Sequence, residues 1–339
     1  MEVNKYLKNR LESCSHYELT DADKEYLEKR GINDFIYQKL TSKKFRKWQI
    51  DESSEAWVKK AIKINIDKNE PIKFVFPFGG YKLWRLPATP EVDWAEFFTI
   101  SYYTNYLAPI LKVYESGAEL IFSSDDYIVE RMNNVSKEDT DAYFNSFKKL
   151  TGKFSKYFPV NLKIDIVRLC DEFQDKSKFE NFEKELAENV KHFSDEYNNQ
   201  DPVKAEKMYK SSELNIKMDG LEKWCDLSEE EQKEKLKMGV IYHHAYCGLT
   251  DRKIYDRAED KIVLFTTQIS NSIAIGTTKA SITKFWTGVG VLEKHGSDFK
   301  DRILSPQQLI DLDMSKVEVV LSDLISLKNF KDIKVLNIG

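Results

Sequence analysis

The sequence is poor in glycine and proline, with 13 Gly and 8 Pro among 339 residues. It contains no Gly-x-Gly-x-x-Gly and no Gly-x-x-x-x-Gly-Lys-Ser/Thr, which argues against the common backbone cradles for dinucleotides and nucleoside triphosphates. Cysteine is scarce too. Cys14, Cys170, Cys225 and Cys247 stand far apart with no Cys-x-x-Cys pair, so neither a disulfide framework nor a zinc site is signalled, and a reducing cytoplasm fits best. No apolar run approaches the ~18 residues of a membrane span, and the start at Met1 lacks the apolar core of a signal peptide. The expectation is a cytosolic, unprocessed protein. Charge of one sign is missing as well: 52 Lys+Arg face 56 Asp+Glu, a net charge of −4, which leaves no basic footprint for nucleic acid. A Gly-x-Ser-x-Gly elbow is absent, so a hydrolase triad has no anchor. Of five histidines, His243 and His244 are neighbours and would point about 100° apart on a helix, not as an i, i+4 metal pair.

What is present is enough apolar matter for a large core: 41% hydrophobic residues beside 32% charged. Residues 1–66 have helical spacing and read as a lead-in, with Gly31 as a helix C-cap. From 67 to 170 the texture becomes strand, helix, strand, helix, strand. Ile72–Phe76 and Ala118–Phe122 are short β runs, residues 93–115 suit a buried helix kinked or broken at Pro109, Ser136 opens another helix, and Asn161–Val167 alternates as a strand should. Such an order implies a mostly parallel sheet with flanking helices and right-handed crossovers. Residues 171–260 are charged and helical, a helical insertion in which Ser228–Glu231 reads as a capping box. Residues 261–339 read as a small β-rich C-terminal portion completing the site: 261–293 return to β texture with connections so short that antiparallel pairing is expected, and the rest mixes a short helix around Gln307–Leu312 with β-like Val317–Leu321.

In open parallel sheets ligands sit beyond the carboxyl ends of the strands. The loop after Phe78 holds Gly79, Gly80, Tyr81, Lys82, Trp84 and Arg85 and leads to Asp93 and Glu96; the loop after Phe122 holds Ser123, Ser124, Asp125 and Asp126, then Arg131. Lys82 and Arg85 suit a phosphate or carboxylate, or are ordinary solvated cations. Asp93 and Glu96 share a helix face, where they either perform acid–base work or cap the helix. Glu96 sits among Trp94, Phe97 and Phe98, and a buried carboxylate needs a partner or a purpose. Asp125-Asp126 could orient a substrate hydroxyl or amine, hold Mg²⁺, or simply turn the chain, and without a third acid nearby no metal site is assigned. Eleven of the 43 aromatics fall within residues 74–106, which makes that block the first place to look for a pocket.

The run Phe74-Val75-Phe76-Pro77-Phe78, then Leu86-Pro87, Asp93-Trp94-Ala95-Glu96, Ile110 to Tyr114, Gly117-Ala118 and Ser124-Asp125 resembles the isocyanide (isonitrile) synthase family, which includes the yeast spore-wall dityrosine enzymes and the pyoverdine/paerucumarin-type synthases. The likeness covers residues 71–150 and, more weakly, 246–292. There Ile262-Val263-Leu264 stands where the family has Ile-Arg-Leu-Ser-Ile-His, and Phe285-Trp286-Thr287-Gly288-Val289 where it has a Trp-His-Gly-Val-like ending. The departures are specific. Gly79-Gly80-Tyr81 replaces the family's Lys-Ser-Pro-Asn, and Val263 and Thr267 stand at its Arg and His positions. The family's fold is expected to tolerate such losses better than its activity.

The resemblance implies a Rossmann-like α/β fold and a biosynthetic transferase of secondary metabolism, without metal or redox cofactor, in which an amino acid's amine meets the ketone of ribulose 5-phosphate and becomes an isonitrile. On that basis Glu96 is assigned as general acid/base, with Asp93 and Asp125 as orienting groups. Tyr81, Lys82, Trp84, Arg85, Ser124, Arg131, Thr267 and Trp286 are assigned to binding a Tyr- or Trp-like amino acid and a sugar phosphate. An iron/2-oxoglutarate oxygenase is the partner expected downstream in the pathway. The alternative is a divergent relative with another small-molecule reaction, or a non-catalytic binding protein.

Overall fold

The structure, a computed structural model, describes residues 2–338 apart from 14, 47–48, 80–89, 134, 174–175, 217–226, 250–257, 267–268 and 277–280. Three helices open the chain: α1 (Glu2–Glu12), α2 (Asp21–Leu40) and α3 (Glu52–Asp67). The Thr20 hydroxyl accepts from the Asp23 amide while the Asp23 carboxylate accepts from the Thr20 amide, a reciprocal cap. Gly31 does not end its helix. It takes φ +78° and interrupts the helical backbone, which resumes as far as Leu40.

The central sheet is parallel and five-stranded: β1 (Ile72–Phe78), β2 (Ala118–Ser124), β3 (Leu162–Arg168), β4 (Lys261–Phe265) and β5 (Ser272–Ala274), in the order β3-β2-β1-β4-β5. The connection from β1 to β2 carries α4 (Trp94–Val113), and that from β2 to β3 carries α5 (Asp126–Met132) and α6 (Lys137–Phe154). The strands are rich in Ile, Val and Phe because both faces are covered. Helix α4 is buried along most of its length, which explains its near-absence of charge, and it runs through Pro109 unbroken to Val113. Gly117, immediately before β2, takes φ +66°, and a Cβ there would lie 1.8 Å from the Asn161 carbonyl oxygen, so only glycine fits.

After β3 the chain is helical: the short α7 (Leu169–Glu172), then α8 (Lys176–Asn199), α9 (Pro202–Ile216) and α10 (Glu229–Cys247). Helix α10 packs against both α8 and α9 and docks on α5. A small apolar cluster of Ile128, Leu169, Phe173, Phe182, Leu186, Ala245 and Leu249 joins α8 and α10 to α5 and to the chain just after β3.

The expected antiparallel pairing of 261–293 is corrected. Strands β4 and β5 join the central sheet in parallel despite the six-residue connection 266–271. Residues 281–287 form a 3₁₀ turn rather than the start of a strand. A second sheet of four strands, in the order β7-β6-β9-β8, is built from β6 (Val289–His295), β7 (Asp298–Leu304), β8 (Val317–Leu321) and β9 (Asp332–Asn337), with α11 (Pro306–Ile310) between β7 and β8. It is mixed: β6–β7 and β8–β9 are antiparallel, while β6 pairs parallel with β9. Two contacts pin this sheet to α4. Trp94 Nε1 donates to the Asp332 carbonyl at 2.8 Å, and its ring meets Phe330 edge-on at 4.9 Å.

Candidate functional site at the carboxyl ends of the strands

Strand β1 lies between β2 and β4, so the chain order reverses direction there, and a crevice at the carboxyl ends of β1 and β4 is the place where such a sheet takes a ligand. The loops that follow these two strands carry Tyr81, Lys82, Trp84, Arg85 and Thr267, all of which lie outside the described residues. What is described is the end of the sheet itself. Phe78, Ser124 and Arg168 are in register across β1, β2 and β3 and form the last row of the sheet.

Asp93 and Glu96 come together as the cap of α4. Glu96 is fully buried; its Oε2 accepts from the Asp93 amide at 2.7 Å and its Oε1 accepts from the Tyr143 hydroxyl at 3.0 Å. Asp93 Oδ1 accepts from the Ala95 amide at 2.6 Å and from the Gly290 amide at 3.2 Å. The capping role weighed for this pair is therefore present. Tyr143 is held as a neutral donor: burial pushes its hydroxyl pKa well above the ordinary value, with the Glu96 charge adding to the effect. Its ring lies 6.2 Å from Phe78, which places the Glu96–Tyr143 pair beside the end of β1.

Most of the aromatic block is core rather than pocket wall. Phe74, Phe76, Phe97, Phe98, Tyr103 and Tyr106 are buried. Trp286 also packs inward, 5.7 Å from Phe76 and 6.1 Å from Phe78. Behind the last row of the sheet, the Ser123 hydroxyl is buried with no hydrogen-bond partner among the described residues. An unpaired buried hydroxyl costs about 1–3 kcal/mol, which a ligand's polar group or a water would relieve.

At the ends of β2 and β3 a cleft of about 520 Å³ is lined by Asp126, Tyr127, Glu130, Lys137, Arg168, Cys170, Asp171 and Phe179. Asp125, half-buried at the start of α5, receives a long hydrogen bond from the Tyr246 hydroxyl at 3.5 Å, while its amide donates to the Phe78 carbonyl. Of the two adjacent acids, Asp126 is the one that lines the cleft. It is 4% exposed, and burial raises its carboxyl pKa to about 6, with Arg168, at 3.1 Å, pulling the other way. Arg168 also pairs with Asp141 and lies over the Phe144 ring at 4.6 Å. Arg131 covers the Tyr127 ring at 3.5 Å and donates to the Tyr127 carbonyl. A perturbed carboxyl beside a fixed guanidinium in a cleft is the combination that acid–base and ligand-binding sites use. Among the described residues no group of three or more His, Cys, Asp or Glu is placed to hold a metal ion.

Sequence reasoning missed Tyr143 and Arg168, and of the Asp125-Asp126 pair it assigned a role only to Asp125. The signal for Arg168 was available: it ends the third strand, and the strand-end rule that selected the loops after Phe78 and Phe122 points there equally. Tyr143 had none, because its partner Glu96 is 47 residues away.

No protein-family model matches the sequence, and no curated protein matches it. The shape of the chain does find a match. The fold resembles that of PvcA from Pseudomonas aeruginosa. The crystal structure of PvcA superposes with a TM-score of 0.61 at 16% identity, covering 90% of this chain and 99% of PvcA. At that identity the likeness is one of fold: a Rossmann-like parallel sheet with flanking helices and a small second sheet packed on α4. Among the described residues no helix is long and apolar enough to cross a membrane.

Proposed function

We propose that this chain is a biosynthetic enzyme related to the isocyanide synthases, which converts the amine of a Tyr- or Trp-like amino acid to an isonitrile using the ketone of ribulose 5-phosphate. The observation that carries the proposal is the fold likeness to PvcA over nearly the whole of both chains. The family-like residues in the sequence support it by where they fall. Ser124 ends β2 with Asp125 following, and Asp93 and Glu96 open α4 beside the end of β1. In this proposal Glu96, backed by Tyr143, moves protons, and Asp93 and Asp125 orient the reacting groups. Lys82 and Arg85 hold the phosphate, while Tyr81, Trp84, Ser124, Arg131, Thr267 and Trp286 complete the substrate site. An iron/2-oxoglutarate oxygenase acts on the product.

Incubating the purified protein with tyrosine or tryptophan and ribulose 5-phosphate, and following the isonitrile by mass spectrometry, tests the reaction. Product that persists undiminished in Glu96→Gln removes Glu96 from its assigned role. A second reading has its own observation. The buried Asp126–Arg168 pair lines a cleft at the ends of β2 and β3. If Asp126→Asn abolishes binding of a small molecule that Glu96→Gln leaves intact, the chain is a relative with different small-molecule chemistry.

A further inference from the structure

Outside the strand ends, three side chains on the helical segment line up as a proton-transfer chain. Cys247 closes α10 and is exposed. One helical turn earlier, His243 presents Nε2 to the Cys247 sulfur at 3.7 Å. The other ring nitrogen, Nδ1, lies 2.8 Å from the hydroxyl of Ser212 on α9, a residue that is fully buried. The tautomer that donates from Nδ1 to Ser212 leaves the Nε2 lone pair facing the thiol. Nucleophile, base and base-orienting group stand in the relation that activates a sulfur. His244 strengthens the placement, because its Nε2 lies 3.0 Å from the Ser211 hydroxyl, so two adjacent imidazoles hold α10 to α9 and fix the His243 ring. Cys170, by contrast, is half-buried, and burial pushes its thiol pKa up.

We propose that Cys247 is a base-activated thiol, a modification site that forms mixed disulfides with small disulfides. The thiol proton passes to His243 Nε2 and the thiolate attacks one sulfur of the disulfide. A Cys247–sulfur bond forms as the disulfide bond breaks, and the departing thiolate takes up a proton from His243 or water. Cys247 is oxidised and the leaving sulfur reduced, so the step balances with the disulfide as the only co-reactant.

The test uses the full chain and glutathione disulfide, with each cysteine-containing peptide quantified separately by mass spectrometry across pH 5.5–10. At pH 7 Cys247 is expected to react at least about tenfold faster than Cys170, and His243→Asn to slow it about tenfold, the gap closing near pH 10, where a thiol ionises unaided. Ser212→Ala is expected to slow it by a smaller factor. Equal rates for Cys247 and Cys170 overturn the proposal, as does a His243→Asn effect that is absent at pH 7 or the same at both pH values. Should either variant unfold, the unsubstituted protein decides. An inflection in the Cys247 rate below about pH 7.5 supports the proposal, and a single inflection at or above about 8.5 contradicts it.

Discussion

The Gly290 amide donates to the Asp93 carboxylate across 197 residues of sequence, joining the first strand of the small sheet to the cap of α4. The approach is so close that a Cβ on Gly290 would lie 2.3 Å from the Ala95 nitrogen. Gly290→Ala must therefore push β6 away from α4, and is expected to lower unfolding free energy by about 1–3 kcal/mol, the usual cost of overpacking. Urea unfolding checks this, and a cost under about 0.5 kcal/mol would mean that the two elements are not so tightly joined.

Asp126 makes stability depend on pH with a defined sign. Its folded pKa of about 6 lies above the ordinary 3.8, so between those values the folded state holds a proton that the unfolded chain has lost. The contribution of this group to stability is highest below about pH 4 and falls as pH rises through 6, by at most about 3 kcal/mol. Asp126→Asn removes that slope. Unfolding curves of the variant and the unsubstituted protein at pH 4 and pH 7.5 should show the difference between them shifting in favour of the variant at the higher pH. A difference independent of pH would contradict the assignment.

Tyr143→Phe deletes the hydroxyl that Glu96 Oε1 accepts from at 3.0 Å. A buried carboxylate that loses a donor is expected to cost about 1–3 kcal/mol of stability. If Glu96 moves protons in the reaction, the same variant should also shift the pH profile of turnover toward higher pH, because the carboxyl loses a bond to its charged form. Thermal unfolding and a pH–rate series check the two halves separately.

How much of this was legible in the sequence differs from element to element. The three strands β1, β2 and β3 and the helices between them were readable because each is a short β-branched or aromatic run closed by a turn signal, and because their spacing leaves room only for crossovers. The pairing of β4 and β5 was not, since a six-residue connection ordinarily means antiparallel, whereas β4 adds in parallel to β1 and β5 in parallel to β4. Strands β7 and β9 carry their alternation among charged residues, as in Asp298-Phe299-Lys300-Asp301-Arg302, where the apolar signal is weak. Within the site, the Asp93–Glu96 spacing announced a shared helix face and a cap. The partners Gly290 and Tyr143 come from distant segments, and no local pattern names them.

The central claim is the chemistry at the strand ends, and one tracer experiment reaches it directly. The protein is incubated with tyrosine or tryptophan and ribulose 5-phosphate carrying ¹³C at the ketone carbon, alongside Glu96→Gln. An isonitrile one mass unit heavier, with the label in the isonitrile carbon and its yield reduced at least about 100-fold in the variant, is the expected result. An isonitrile without the label, or no product with either amino acid from folded protein, contradicts the account.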